Sequence, residues 1–442
     1  MNQYIPHTEE DIRQMLEKIG MKSLDELYSD VPADFLYQGE YDLPDAKSEE
    51  EIRRYFKEMA SRTTPLIPFV GQGWYDHYTP SVIAAITSRS EFFTAYTPYQ
   101  PEISQGTLRY IFEYQSMICE LTGMEVSNAS MYDGPTAAAE ASRLAITSAR
   151  KKDTMLISST LLPQVKEVVK TYARYAGTVV VEIAEKDGQT SFEALRDALA
   201  AHAVAGVIVP TTNKYGIIED HSGFADAIHE AKALLIEYCD PSTLAVLKPP
   251  AENGADVAVG DGQSLGIPLS FGGPSLGFMA CSKEHMRKLP GRIVGATVDK
   301  EGKRCFVLTL QAREQHIRRD KATSNICSNE SLMALWVTIY LSIMGTEGLK
   351  EVNEKSFAGA HYLYDRLLAT GKFTKLYDKP FLKEFAVRAA QGVDIPKLQK
   401  KLVDNGLFAA QPIGDGIVTF CVTEKRTRAE IDKLIQIIKE EA

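Results

Sequence analysis

The amino-acid sequence predicts an α/β protein whose mostly parallel sheet is flanked by helices. Between residues 154 and 238, short apolar segments alternate with amphipathic segments. This alternation is typical of right-handed β–α–β crossovers, which bring parallel strands side by side. The predicted strands are residues 154–158, 178–183, 206–210 and 234–238, and the predicted helices are residues 162–175, 192–202 and 223–231.

The chain has 442 residues, more than one hydrophobic core usually supports, so several domains are expected. We predict an N-terminal helical arm over residues 1–67, a large α/β domain over residues 68–330 and an α+β domain over residues 331–442. In the arm, residues 8–20 and 48–59 each begin with Thr or Ser, followed by acidic residues and an apolar stripe. This is the pattern of a capped amphipathic helix.

The large domain begins with a segment that is rich in aromatic and amide residues and poor in helix signals. Its most polar part, TAYTPYQPEISQG, contains Tyr96, Tyr99 and Gln100. A tyrosine-rich packing loop explains this composition. A loop at an active site or a subunit interface explains it equally well, because such loops combine polar residues with aromatic anchors.

Two predicted helices follow, over residues 105–121 and from Asp133 onwards. Asp133 is a suitable N-cap, and Pro135 stands in the first turn. A helix that starts from a Ser/Asn/Gly loop offers free amide groups to an anion, and Ser130 lies in that loop. The same residues are also explained by simple capping, and the negative charge of Asp133 opposes an anion.

A glycine- and proline-rich loop, GDGQSLGIPLSFGGPSLG over residues 260–277, joins two apolar segments. The pattern predicts two strands connected by a loop that closely approaches a ligand or another chain.

Asp240, earlier in the chain, directly follows the apolar segment LLIEYC and begins an Asp-Pro-Ser sequence. A strand-end turn accounts for that aspartate without any function.

The segment over residues 308–329 carries a dense basic cluster in an otherwise acidic protein. The cluster consists of Arg313, His316, Arg318, Arg319 and Lys321. A solvated charged surface is the usual explanation, whereas docking of a partner or of an anionic group is the functional one.

The C-terminal domain is predicted from short strands and amphipathic helices. Residues 331–344 form an apolar helix that Ser328 or Asn329 is expected to cap, and the next helix covers residues 349–370. The remaining predicted elements are residues 373–377, 383–388, 394–404, 417–422 and 427–441.

The overall composition excludes several classes of function. Lys and Arg total 49 against 59 Asp and Glu, so the net charge is −10, which argues against a nucleic acid or an anionic membrane as the main partner. No apolar run reaches membrane-spanning length and no secretory signal is visible, so a cytoplasmic protein is expected. The six cysteines form no CxxC pair, which predicts reduced thiols and no metal site.

Residues 88–134, 260–277 and 311–329 resemble, over long continuous matches, the alpha subunit (subunit 1) of the glycine cleavage system P-protein, glycine dehydrogenase (decarboxylating). The resemblance implies the fold of the fold type I pyridoxal-phosphate enzymes. It also implies an assembly of two alpha and two beta subunits that decarboxylates glycine and passes the aminomethyl group to the lipoyl group of H-protein. Gln72 departs from the family, which usually has a small or apolar residue there.

In the catalytic subunit of this family, the glycine-rich loop carries a His-Lys-Thr whose lysine binds the cofactor. Placing Ile267-Pro268 on that pattern puts Gln263 at the lysine position. An amide nitrogen cannot form an imine, because its lone pair is delocalised into the carbonyl. The resemblance therefore implies that this chain has no catalytic residue and that the partner beta subunit holds the pyridoxal phosphate.

The resemblance also assigns roles to the other candidate residues. Relics of a cofactor site are Ser130 and Asp133, at the expected phosphate position, and Asp240, at the position of the aspartate that pairs with the pyridinium nitrogen. Candidates for contact with the partner or its site are Tyr96, Tyr99, Gln100, Arg313, His316, Arg319 and Lys321.

Two other functions are compatible with the sequence. One is a self-sufficient pyridoxal-phosphate decarboxylase or aminotransferase that uses Lys321 or Lys214. The other is a purely structural or regulatory pseudoenzyme, because a fold by itself does not fix an activity.

Overall fold

The structure, a computed structural model, describes residues 6–37, 39–149 and 151–441. The described residues form two compact units, one ending at Thr64 and the other beginning at Pro65.

Helices and strands are numbered in chain order. The helices are α1 (Glu9–Ile19), α2 (Glu49–Ser61), α3 (Ser81–Thr87), α4 (Ser90–Phe93), α5 (Gln105–Thr122), α6 (Gly134–Ser148), α7 (Pro163–Ala176), α8 (Phe192–Ala201), α9 (Phe224–Glu230), α10 (Gln315–Arg318), α11 (Ser331–Leu368), α12 (Ile395–Asp404) and α13 (Arg428–Glu441). The strands are β1 (Ile67–Pro68), β2 (Val126–Ser127), β3 (Thr154–Ser158), β4 (Val179–Ile183), β5 (Glu185–Lys186), β6 (Gln189–Thr190), β7 (Val204–Pro210), β8 (Leu234–Tyr238), β9 (Val257–Asp261), β10 (Gly277–Cys281), β11 (Ile293–Val298), β12 (Arg304–Thr309), β13 (Phe373–Lys375), β14 (Glu384–Ala389), β15 (Leu407–Phe408), β16 (Gln411–Gly414) and β17 (Ile417–Cys421).

The first unit contains the two capped helices that the sequence predicts. At the start of α1 the side chain of Thr8 accepts a hydrogen bond from the backbone N–H of Asp11, whose carboxylate accepts one from the N–H of Thr8. Ser48 and Glu51 form the same reciprocal pair at the start of α2. These bonds satisfy amide groups that otherwise lack a partner at a helix start.

The second unit is built on a seven-stranded sheet of order β2-β10-β9-β8-β7-β3-β4. Strands β4, β3, β7, β8 and β9 are parallel, and β10 is antiparallel to β9 and to β2. The prediction of a mostly parallel sheet with helical crossovers is therefore confirmed.

Both faces of the sheet are buried, because its side chains alternate between two hydrophobic cores. One core combines Leu156, Val207 and Leu235 with side chains of α5, α8, α9 and α11. The other combines Met155, Ile208 and Ile236 with side chains of α6 and α7. The result is a three-layer arrangement in which the carboxyl ends of β7, β8 and β9 form one edge.

Helix α11 is interrupted at Gly345, whose φ of 56° and ψ of −170° are not helical. This break separates the two helices that the sequence predicts. In the described part of the chain, α11 is the one helix whose length and composition would allow it to span a membrane. Its apolar first part ends at the break, short of the roughly 20 residues that a span requires. It also contributes Tyr340 to the sheet core.

The predicted cap of α11 is wrong. Neither Ser328 nor Asn329 caps the helix with its side chain; instead the N–H of Glu330 donates to Oγ of Ser130, 2.9 Å away. Ser130, 200 positions earlier, thus bonds the residue that precedes the helix, and Asn329 donates to the backbone oxygen of Ala129, so this end of α11 lies against the segment before α6.

The C-terminal part of the second unit is a four-stranded antiparallel sheet of order β13-β14-β17-β16. Its core joins the aromatic side chains Phe373, Phe385 and Phe420 to side chains of α11, α12 and α13. The α+β arrangement agrees with the prediction. Strands β15 and β16 and the β11–β12 hairpin lack an extended periodic pattern and were not predicted.

A buried histidine lies between two carboxylates beside the large sheet. Nδ1 of His221 is 3.0 Å from Glu237 Oε1, and Nε2 is 3.5 Å from Glu219 Oε2. Burial lowers the pKa of His221, but the two carboxylates outweigh it and raise the pKa to about 9. His221 is therefore protonated in the folded protein at neutral pH.

We predict that the free energy of unfolding falls as the pH rises from 6.5 to about 9. Because the folded pKa of His221 lies above the ordinary value of 6.5, its stabilisation is complete below pH 6.5 and is lost as the pH passes about 9. The difference corresponds to roughly 3 kcal/mol. Urea unfolding of the full chain at several pH values measures it.

The His221→Gln variant is expected to lose this part of the pH dependence. His229→Gln is the matched control, because His229 is exposed and pairs with Asp256 at the surface. An unchanged pH slope in His221→Gln would contradict the prediction.

Candidate functional site

The candidate site lies where β8 and β9 end beside the start of α6. Asp240 follows β8, Asp261 is the last residue of β9, and Gln263 lies two residues further on, in the glycine-rich loop. Ligands of open α/β sheets bind at the carboxyl ends of parallel strands. Here those ends enclose a cavity of only about 20 Å³, lined in part by Tyr75 and Tyr238.

Gln263 is fully buried and all of its polar groups are bonded. Its Nε2 donates to the backbone oxygens of Tyr75 and Ile267 at 2.9 and 2.7 Å, and its Oε1 accepts from the N–H of Tyr75 at 2.8 Å. The amide thus pairs with both backbone groups of one residue. At the lysine position of the family, this chain has a side chain that fastens the loop containing Tyr75.

Asp240 is paired with a lysine of the C-terminal sheet. Nζ of Lys383, the residue before β14, is 2.6 Å from Oδ2 of Asp240. Ser264 and Ser242 donate their hydroxyl groups to Oδ1 of the same carboxylate. Burial raises the pKa of Asp240, but the Lys383 charge and these bonds outweigh it and hold the pKa below its usual value.

The carboxylate of Asp261 is hydrogen-bonded to the first residue of α6. Its Oδ2 accepts from the N–H of Gly134 at 3.0 Å, and its Oδ1 accepts from the N–H of Gln263 at 2.9 Å. The hydroxyl of Ser275 contacts both carboxylate oxygens. Burial raises the pKa of Asp261 to about 6 against the effect of these donors. A carboxylate of the chain itself thus holds the helix-start amide, where an external anion would bind.

Gly134 leaves no space for a ligand at this helix start. A Cβ added there would lie 2.6 Å from the Tyr238 hydroxyl and 2.9 Å from the backbone nitrogen of Asp261. Asp133 caps the helix, since its Oδ1 accepts from the N–H of Thr136 at 2.7 Å. Ser130 lies elsewhere, at the start of α11.

The residues at these strand ends do not fit pyridoxal phosphate. A cavity of about 20 Å³ holds about one water molecule, whereas small-molecule sites are usually about 300 Å³ or larger. Asp240 already has a cationic partner in Lys383, and Asp261 holds the amide that a phosphate would need. Gln263 offers no nucleophilic amine.

The predicted contact residues lie in two places, away from this cavity. Tyr96 and Gln100 are exposed, and Tyr99 lies over the buried Arg292, whose guanidinium carbon is 5.4 Å from the ring centroid. The Tyr99 hydroxyl also accepts a hydrogen bond from Arg292 at 3.2 Å.

The basic cluster divides into one structural arginine and an exposed remainder. Arg313 donates to the backbone oxygens of Leu310 and Gly291 at 3.0 and 2.8 Å. His316 and Lys321 are exposed. Arg319 is exposed as well and lines a cavity of about 490 Å³ together with Arg143.

Lys214 is bound at the other side of the strand ends. Its Nζ is 3.1 Å from Glu185 Oε2 and donates to the backbone oxygen of Ser159. The structure explains why a polar residue stands at position 72. The N–H and Nε2 of Gln72 both donate to Glu384 Oε1, at 2.9 and 3.0 Å, and Nε2 also donates to the backbone oxygen of Lys214. The departure from the family therefore fastens the same loop as Gln263.

Sequence reasoning missed Lys383, Asp261 and His77, which complete the buried site. Lys383 and Glu384 form a charged pair at the start of an apolar strand, and this is the one local signal that marks them. Asp261 stands in the glycine-rich loop but lacks any pattern that pairs it with Gly134. Their roles depend on contacts between distant segments.

Comparisons with known proteins agree with this architecture. A family model described as glycine cleavage system P-protein matches residues 2–438. The chain is 48% identical over 442 residues to the "Probable glycine dehydrogenase (decarboxylating) subunit 1" of Moorella thermoacetica, covering 99% of each protein.

Solved structures show the same fold. A crystal structure of glycine decarboxylase (P-protein) of the glycine cleavage system, in inhibitor-bound form, has a TM-score of 0.93 and 42% identity and covers 99% of each chain. Lactobacillus brevis glutamate decarboxylase has a TM-score of 0.67 at 12% identity over 92% of this chain and 95% of its own, a likeness of fold alone. The predicted fold type I class is confirmed. By family model, identity and structure, this chain belongs to the glycine cleavage system P-protein family.

Proposed function

We propose that this chain is the alpha subunit of a cytoplasmic glycine decarboxylase and that its beta subunit holds the pyridoxal phosphate. When bound, that cofactor supplies the electron sink for loss of carbon dioxide from glycine. Two alpha and two beta subunits form the assembly, and the aminomethyl group passes to the lipoyl group of H-protein. The name of the Moorella relative, which specifies a subunit 1, supports the existence of a partner.

The observation that carries the proposal is the filled site at the ends of β8 and β9. Gln263 replaces the nucleophile, and Lys383 and Asp261 satisfy the groups that a cofactor would bind. A chain whose own strand-end site is filled contributes to function through its surface, by binding and positioning the other subunit. The self-sufficient alternative has no support from geometry, because Lys214 is bound to Glu185 and Lys321 is exposed.

Exposed apolar side chains indicate where the partner docks. Tyr96 is 82% exposed, Ile103 is 81% exposed and Phe271, in the glycine-rich loop, is fully exposed. Large apolar side chains on a surface mark interaction sites when they cluster, and Tyr96 and Ile103 lie in one segment. We assign the segment over residues 93–103 and the tip of the glycine-rich loop to the interface with the beta subunit.

Borohydride trapping tests which chain holds the cofactor. The reconstituted complex with its beta subunit is incubated with pyridoxal phosphate and reduced, and each chain is analysed by peptide mass spectrometry. A reduced adduct is expected on a beta-subunit lysine and on no buried lysine of this chain. A stoichiometric adduct on Lys214, Lys321 or Lys383 would instead make this chain an enzyme in its own right.

Restoring the family lysine is not expected to restore cofactor binding. Gln263→Lys removes the bonds to the Tyr75 backbone and places an ammonium at a fully buried position. We expect a loss of roughly 2–4 kcal/mol in the free energy of unfolding, because a buried charge and unpaired backbone groups result. Chemical denaturation measures the loss, and trapping measures the cofactor.

Gln263→Glu is the matched variant, since it retains the shape and an acceptor oxygen for the Tyr75 N–H but replaces the donor nitrogen Nε2 with a second oxygen. It is expected to lose the bonds to the backbone oxygens and to be destabilised as well. Stable binding of pyridoxal phosphate at residue 263 in Gln263→Lys would refute the filled-site argument.

Substitution of the exposed segment is expected to weaken assembly without affecting the fold. Tyr96→Ala combined with Ile103→Ala should raise the dissociation constant for the beta subunit about tenfold or more, because both side chains would be buried in the interface. Val403→Ala is the control, since Val403 is 39% exposed on α12. Calorimetric titration measures affinity, and the thermal midpoint of the isolated chain checks folding.

An unchanged affinity in the double variant would place the interface elsewhere. In the Tyr99→Ala or Arg319→Ala variant, normal assembly together with normal glycine decarboxylation would favour the purely structural role.

A further inference from the structure

We propose that the side chain of Lys383 is a built-in ammonium ligand. Its binding site is formed together by the large sheet, the loop over residues 71–78 and the C-terminal sheet. This role involves side chains of this chain alone, so its test does not depend on whether the chain binds a beta subunit.

The ammonium group of Lys383 is fully coordinated. Its Nζ lies 2.6 Å from Asp240 Oδ2, 2.9 Å from His77 Nε2 and 3.0 Å from Ser242 Oγ. Two of these contacts, to His77 and Ser242, are hydrogen bonds, and the contact with Asp240 is an ion pair. The ring centroid of Tyr75, 3.8 Å from Nζ, adds a cation–π contact. This is the coordination of a bound cation and not of a surface lysine.

The histidine is suited to accept from a cation because it is neutral. Burial and the Lys383 charge lower the pKa of His77. Its Nδ1 lies 2.6 Å from Glu424 Oε2, so the proton is on Nδ1 and the Nε2 lone pair faces Lys383. Glu424 is fixed in turn by the N–H of Tyr78 at 2.6 Å. Every acceptor around the ammonium is therefore oriented by a further bond.

The site is closed to solvent. Lys383 is 3% exposed and His77 is also 3% exposed. A buried ion pair is stable only when its geometry is good and its remaining groups are bonded, and loss of one partner leaves an uncompensated charge. Asp240 meets these conditions through Ser242 and Ser264. The carboxylate therefore requires a cation, and Lys383 is the cation within reach.

The ammonium joins segments that are far apart in the chain. Asp240 and Ser264 follow strands of the large sheet, and Lys383 precedes β14 of the C-terminal sheet. The neighbouring Glu384 accepts hydrogen bonds from Tyr75 and from Gln72, in the loop that Gln263 also fastens. The bound ammonium thus holds the C-terminal sheet against the ends of the strands of the large sheet.

Chemical rescue of Lys383→Ala tests the proposal on the full chain. The substitution removes three carbons and the ammonium, which together have the size of n-propylammonium. We expect the thermal midpoint to fall by about 5 °C, because Asp240 loses its partner. Added n-propylammonium should recover most of this fall, whereas n-propanol, with the same shape and no charge, should not.

Two control variants separate ligand binding from general effects of the amine. Lys152→Ala is the first, because Lys152 donates to the backbone oxygens of Ala231 and Lys232 and has no carboxylate partner. It should show no preference for n-propylammonium over n-propanol. Lys383→Ala combined with Asp240→Asn is the second, and it should also lose the preference, because the anion that selects the cation is gone.

The variant that combines Lys383→Ala with Asp240→Asn also keeps the test decisive if Lys383→Ala alone does not fold. If Lys383→Ala gives no soluble protein, the double variant is expected to fold, since no unpaired charge remains. Its recovery would support the proposal. A Lys383→Ala variant with wild-type stability, or equal rescue by n-propanol and n-propylammonium, would overturn it.

Discussion

The ion pair between Lys383 and Asp240 is the interaction on which the rest of this structure depends. A carboxylate at the end of a buried parallel strand cannot lose its charge compensation without a large cost in free energy. Here the cation comes from the C-terminal sheet, so the two sheets must approach until Nζ and Oδ2 are 2.6 Å apart. The same lysine lies over the ring of Tyr75, and the neighbouring Glu384 accepts a hydrogen bond from the Tyr75 hydroxyl, so the loop containing Tyr75 is held at this junction.

The second constraint is the partial positive charge at the start of α6, which requires a negative partner. A helix start presents partly positive amide groups and favours a nearby anion. Asp261 supplies that anion to Gly134 from the end of β9, and Asp133 supplies another to Thr136. The same architecture with an empty centre would leave a buried carboxylate and a helix start without partners. This chain supplies both partners with its own side chains.

The parts that could be predicted from the sequence are those that local physics determines. Five-residue apolar strands, the caps at Thr8, Ser48 and Asp133 and the break at Gly345 all depend on neighbours within a few positions. Two-residue strands such as β2 and β15 depend on pairing partners far along the chain and leave no periodic signal. The same distinction applies to the site. The sequence of the glycine-rich loop is enough to predict that Gln263 replaces the nucleophile, whereas no local pattern predicts that Asp240 pairs with a lysine 143 positions later.

A closed interior and an exposed apolar surface are two consequences of one arrangement. Gln263, Lys383 and Asp261 satisfy the polar groups at the strand ends with bonds inside the chain. The chain also exposes Tyr96, Ile103 and Phe271 to solvent, which costs free energy in an isolated chain. A subunit whose partner covers these side chains removes that cost. The rigidity of the buried network makes the covered surface reproducible, because fixed loops lose little conformational entropy on binding.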